Sequence, residues 1–182
     1  MQRGQLTTTS ITERAYTLAH ESGLDHLTYN GLARDIGIRP QSLYRYLPNI
    51  TAVKTAVVTL ATTRLTTHLQ NAVSGRQGLD AVRTFASAYV EFNQSGISLT
   101  EMINAMGTLR TNPELNAALR ALNELTERVV AGATRDPDLI PANSQLLVEL
   151  LTGHLAQLAA GNPAATNDDQ TLQNFERIIT LF

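Results

Sequence analysis

An all-α fold is predicted for this chain by three observations. Apolar side chains recur at helical spacing in almost every segment, and no stretch keeps the alternation of a strand. Gly, Pro and Asn punctuation cuts the 182 residues into about nine helical segments. The first runs from Thr8 to Ser22, with Ile11, Ala15, Leu18 and Ala19 on one face. Thr7 or Ser10 caps it, Ser10 to Glu13 having the form of a capping box in which hydroxyl and carboxylate satisfy orphan amides reciprocally. Gly23 stops it, being free to take positive φ.

Thr28 is placed to cap a short second helix carrying Leu32, Ala33 and Ile36, which ends at Gly37. Pro40 suits the first turn of a third helix, about 40–46, because its missing amide proton has no helical partner there in any case. Pro48-Asn49 closes that helix, and Asn49 caps a long fourth one from Ile50 to about Ser74. Further helices are expected at about 79–94, 98–108, 113–134, 142–160 and 168–181. No internal repeat or low-complexity tract interrupts them.

Composition narrows the class. Hydrophobic residues make up 43% and charged residues 16%, the balance of a folded globular protein. The absence of Cys removes disulfides, thiolate metal sites and cysteine nucleophiles. The first residues lead into Thr and Ser rather than an apolar run, and no apolar stretch nears the ~18 residues of a membrane span, so the cytoplasm is the expected compartment. His20, His26, His68 and His154 are scattered, and Glu149 stands five residues before His154, which is not a metal-binding helical spacing. No nucleophile elbow or phosphate-cradling Gly loop is present, so neither enzyme, metal nor cofactor is expected.

The net charge of −2 is unevenly spread. Residues 1–54 hold six basic and four acidic side chains, whereas the rest is acidic on balance. A short helix, a tight turn at Gly37 and a second short helix form the helix-turn-helix plan, in which the first braces the second so that its N-terminal residues reach base edges in the major groove. On periodicity alone an ordinary helical hairpin remains equally open.

The residues decide further. Gly23-Leu24-Asp25-His26-Leu27-Thr28, Leu32-Ala33, Gly37-Ile38 and Ser42-Leu43-Tyr44-Arg45-Tyr46-Leu47, with a capped long helix after Asn49, resemble the DNA-binding domain of the tetracycline-repressor (TetR) family over about residues 7–58. The resemblance implies a three-helix reading head, residues 1–50, and a helical effector-binding and dimerisation domain, residues 51–182, joined by helix 4. By position, Gln41 and Ser42 are the base-reading candidates, since a Gln amide pairs bidentately with adenine and a Ser hydroxyl is permissive. Asn30 is a further base candidate, and Pro40 a contact for a thymine methyl. Tyr44 and Tyr46 resemble the family's phosphate-binding positions, Thr28 and Tyr29 its amide-and-hydroxyl clamp, with Arg39 and Arg45 adding charge. Ile50 stands where the family usually has a basic residue, and Lys54, one turn on, is an imperfect substitute. Gly31 inside the second helix costs about 1 kcal/mol against Ala, which suggests close backbone approach to DNA.

Beyond residue 60 only the architecture is similar. The last two helices carry Leu147, Leu150, Leu151, Leu155 and Leu158, then Phe175, Ile178, Ile179 and Phe182, which the family resemblance assigns to a two-fold dimer interface. His68, Tyr89, Phe92, Asn93, Met102, Met106 and His154 are candidates for an effector pocket among helices 4 to 8, and their few charges suggest a neutral or apolar effector. The expected function is a homodimeric, ligand-responsive transcriptional repressor on a palindromic double-stranded operator. The alternative is a dimeric helical adaptor with weak or lost DNA binding.

Overall fold

The computed structural model describes residues 6–109, 111–162, 165, 174–175 and 177–178. Among them are eight α-helices, a 3-10 turn at Pro137–Leu139, and no strand. The helices are α1 Thr8–Ser22, α2 Tyr29–Ile36, α3 Pro40–Leu43, α4 Ile50–Ala72, α5 Gly78–Ser95, α6 Leu99–Leu109, α7 Pro113–Ala131 and α8 Ile140–Ala159. The ninth expected helix, 168–181, lies outside the described residues except for helical pairs at 174–175 and 177–178. The chain divides into two compact units that are each discontinuous in sequence. One holds the residues up to Thr63 together with Gly96–Ala118; the other holds Arg64–Ser95 and the chain from Leu119 onward.

In the first unit, α1 begins at Thr8 because Thr7 Oγ1 accepts from the Ser10 amide at 3.1 Å while Ser10 Oγ accepts from the Thr7 amide at 3.0 Å. The capping box is therefore Thr7 to Ser10, three residues before the one expected from Ser10 and Glu13, with the serine hydroxyl taking the part of the carboxylate. Ile11, Ala15 and Ala19 are buried along one face of α1, and Leu24 and Leu27 follow them into the core. Gly23 ends the helix at φ +92°, its amide donating to the Ala19 carbonyl at 2.8 Å.

Thr28 Oγ1 caps α2 by accepting from the Gly31 amide at 3.1 Å. A Cβ on Gly31 would lie 2.7 Å from that same oxygen. The glycine in this helix is thus explained by the cap it leaves room for, without any need for close approach of DNA. Gly37, at φ +79°, turns the chain in the left-handed region. α3 then spans only Pro40–Leu43, shorter than the expected 40–46, and residues 44–46 continue as turns closed by the Tyr46 and Leu47 amides on the Leu43 carbonyl. Leu32, Ala33 and Leu43 are fully buried, so α2 and α3 share one core with α1.

α1 and α2 are also tied by charge, with Arg14 Nη2 donating to Asp35 Oδ1 at 2.7 Å and Arg14 Nε donating to Oδ2. The guanidinium holds the Asp35 carboxyl below its ordinary value of 3.8. A depressed folded-state pKa stabilises the fold fully above the ordinary value and loses that contribution as pH falls through the lowered one. The melting temperature of Asp35→Asn should accordingly lie below that of the parent protein at neutral pH. In a pH series followed by circular dichroism, the gap should close below about pH 4.

Asn49 Oδ1 caps α4 through the Ala52 amide at 2.8 Å, as the sequence suggests. Val53, Val57, Val58 and Ala61 bury the first half of α4 in this unit. The core of the second unit gathers Leu65 and Leu69 of α4, Val82, Phe85, Tyr89 and Phe92 of α5, Leu125 and Val130 of α7, and Leu147, Leu151 and Leu155 of α8. α5 packs against α8 within it. No helix among the described residues is long and apolar enough to cross a membrane.

Candidate DNA-binding site

Local structure places the side chains named from sequence on a small, exposed region of the first unit. Leu43 and Leu47 anchor α3 and the turn after it, at 0% and 7% exposure. With that side fixed, Gln41, Arg39, Tyr44 and Arg45 project into solvent, Pro40, Ser42 and Tyr46 lie half-buried beside them, and Asn30 is exposed on the first turn of α2. Tyr44 is 56% exposed, a large aromatic ring held outward.

That ring is held. Tyr29 packs against Tyr44 with ring centroids 4.9 Å apart, and the Tyr29 hydroxyl donates to the Leu47 carbonyl at 2.7 Å. Burial raises the Tyr29 phenol above its ordinary value, and neighbouring Tyr44 adds to the effect. Tyr29 has therefore spent its hydroxyl proton inside the head, and it supports Tyr44 from behind. The guanidinium carbon of Arg45 lies 6.0 Å from the Tyr46 ring centroid, a cation-π pairing that biases the arginine at the edge of the same surface. Thr28 is committed to the α2 cap through its side chain. Lys54 Nζ lies 3.8 Å from Asp25 Oδ1, so its charge is shared with a carboxylate. Ile50 begins α4 half-buried and brings no charge.

The effector candidates are divided between the two units. His68 and Phe92 meet in the second unit with ring centroids 5.8 Å apart, and His68 Nε2 is buried with no hydrogen-bond partner. Tyr89 is buried in the same unit and bonded to Thr152, which offsets part of the rise that burial imposes on its phenol; Asn93 is half-buried. Met102 and Met106 instead belong to the first unit, where α6 lends Met102 to the core at 1% exposure. His154 faces a different place, a cleft of about 440 Å³ lined also by Glu149, Gly153, Gln157 and Phe175, with its ring edge-on to Phe175 at 5.9 Å.

The leucines expected at a dimer interface require a similar correction. Leu147, Leu151 and Leu155 are 0%, 0% and 2% exposed within the single chain, so their apolar surface is spent on their own core and is closed to a partner. Leu150 and Leu158 are half-buried, beside the exposed Glu149, Gly153 and Gln157. Phe175 is buried and Ile178 half-buried, while Ile179 and Phe182 lie outside the described residues. Helical spacing revealed the apolar stripe of α8 but not which body it faces.

Among the described residues, one compact unit exposes α3 and the turn after it, and the other holds a helical core. Solved structures share this helical fold over nearly their whole length. A protein of unknown function from Rhodococcus sp. RHA1 superposes with TM-score 0.81 at 18% identity, covering 100% of this chain and 97% of that one. A TetR from Acinetobacter baumannii AYE superposes with TM-score 0.70 at 15% identity, covering 98% and 97%. The chain has the fold of the TetR-family regulators. Within that fold, BioQ has been solved with its natural double-stranded DNA operator, and it superposes with TM-score 0.63 at 15% identity over 97% of each chain.

Curated relatives point the same way. The Bacillus subtilis HTH-type transcriptional regulator YobS is 28% identical over 87 residues, 48% of this chain and 46% of its own length. The Mycobacterium tuberculosis HTH-type transcriptional regulator Rv0681 is 30% identical over 116 residues, 64% of this chain and 53% of its own length. The matches thus span about half the length of these relatives. No protein-family model matches the chain.

Sequence reasoning missed two side chains that shape the head, His20 and Glu101. His20 Nδ1 donates to the Gly96 carbonyl at 3.0 Å, and Glu101 Oε1 accepts from the Leu24 amide at 3.2 Å. Both bonds join residues more than 70 positions apart, for which a helical pattern carries no signal.

Proposed function

We propose that this chain is a DNA-binding transcriptional regulator of the TetR type, a cytoplasmic repressor that binds a palindromic operator as a homodimer and leaves it on binding a small molecule. The observation that carries the reading is the exposed edge of α3, where Gln41 and Ser42 sit on a helix fixed from below by Leu43. Gln41 and Ser42 read base edges, with Asn30 and Pro40 beside them. Tyr44, Tyr46, Arg39 and Arg45 engage the backbone, and Tyr29 acts through Tyr44. Thr28 contributes its helix N-terminus.

Dimerisation through the outward side of α8 and the segment after it brings two heads to half-sites one turn of DNA apart, mirroring the operator's symmetry. Leu150 and Leu158, with Ile178, Ile179 and Phe182, form its apolar part. The effector is neutral or apolar and contacts His68, Tyr89, Phe92 and Asn93. An unpaired buried nitrogen on His68 supports this, since a buried polar atom without a partner is costly and a ligand group would satisfy it. Effector binding shifts α4 and moves the heads out of register with their half-sites.

A second reading, a dimeric adaptor with weak or lost DNA binding, draws on one observation: the start of α4 offers Ile50, and Lys54, one turn on, shares its charge with Asp25. Selection of duplexes from a random pool by the intact protein separates the two. The regulator enriches a palindrome with two equivalent half-sites, whereas an adaptor returns the pool unchanged.

A further inference from the structure

α6 is part of the DNA-reading unit, and it touches that unit at both ends. At its first turn the Glu101 carboxylate accepts from the Leu24 amide, just past the end of α1. The fit is close, because a Cβ on Gly23 would stand 3.0 Å from Glu101 Oε1. One turn earlier in the chain, the Gly96 carbonyl is bound by His20 of α1. Ile97, Leu99 and Met102 beside these polar ties are buried, at 1%, 3% and 1% exposure. At the other end, Leu109 and the residues Thr111, Asn112 and Pro113 border a cleft shared with Asn49, Thr51, Ala52 and Thr55 at the start of α4. An 11-residue helix spans about 16 Å, so α6 bridges the α1–α2 corner and the foot of α4.

We propose that Glu101 is a positioning residue for DNA reading, holding the α1–α2 corner against α6 so that the recognition helix meets the groove in one orientation. The inference rests on the regulator reading above and adds to it a second connection to the head besides α4. Its physical basis is preorganisation: a head released from α6 samples orientations that binding must then suppress, and only a specific complex requires a single orientation. The segment that leads into α6 is held at the same corner, where His20 binds the Gly96 carbonyl.

The test compares intact parent protein with Glu101→Ala and Glu101→Gln, on the selected duplex and on a scrambled duplex. Glu101→Ala should bind the selected duplex about tenfold more weakly, with scrambled binding and salt dependence unchanged. Glu101→Gln, whose amide oxygen accepts the same bond, should restore parental affinity. Hydrogen exchange at the Leu24 amide supplies a reading independent of DNA: it should speed in Glu101→Ala and stay slow in Glu101→Gln. Parental specific affinity in Glu101→Ala, or unchanged exchange at Leu24, overturns the proposal while leaving the regulator reading in place. If the parent protein selects no duplex, the regulator reading itself fails and this proposal goes with it.

Discussion

Replacing Leu43 by alanine is expected to lower the stability of the reading head by about 2–5 kcal/mol and to abolish specific DNA binding at temperatures where the parent protein binds well. Leu43 is fully buried and stands at the last residue of a helix only four residues long. So short a helix has little stability of its own, since helix nucleation is costly and the first turn gains a single bond. The geometry of α3 therefore comes from Leu43, Leu32 and Leu47 sharing a core, and from the turn at Gly37. Removing three carbons there leaves a cavity that a small head cannot close. Thermal melting and fluorescence anisotropy on a labelled duplex measure both effects. Parental affinity in Leu43→Ala would show that α3 is positioned by something else.

Gln41→Ala should leave the fold alone and remove base reading. Gln41 is exposed and supports no core contact, so little stability is at stake. If its amide pairs bidentately with adenine, losing that pair costs about 1–3 kcal/mol of discrimination, some 5- to 150-fold in affinity for the selected duplex. Binding to scrambled DNA, which depends on phosphate contacts, should hardly change. Competition between selected and scrambled duplexes measures the ratio directly. An equal loss on both would move Gln41 from base reading to backbone contact.

The parts of this fold that the sequence announces are those decided within a few residues. Thr28, Gly37 and Asn49 take their capping and turning roles because each acts on amides or carbonyls no more than four positions away. Even locally one ambiguity persisted: Ser10 satisfies a capping box from either end, and only the true start of α1 assigns it to Thr7. Long-range pairing is where the pattern falls silent. Tyr29 has the right type for a phosphate clamp, yet its proton goes to Leu47, and nothing in either residue's neighbourhood states that preference. The leucines of α8 show the same limit, since helical period marks Leu147, Leu151 and Leu155 as apolar without saying that their own chain covers them. Met102 shows the same limit: its type suits a ligand pocket, and only the fold shows that it is buried in the unit that holds α1 to α3.

The central claim is that the exposed edge of α3 grips DNA, and salt dependence tests it most directly. Phosphate neutralisation releases counterions, so the logarithm of the association constant falls linearly with the logarithm of salt concentration. With Arg39 and Arg45 exposed on each head, a dimer that neutralises four phosphates should give a slope of about −4 on the selected duplex. Arg39→Ala and Arg45→Ala should each make it shallower by about two, one phosphate being lost from each half-site. A slope near zero, or one unmoved by both substitutions, would contradict the account.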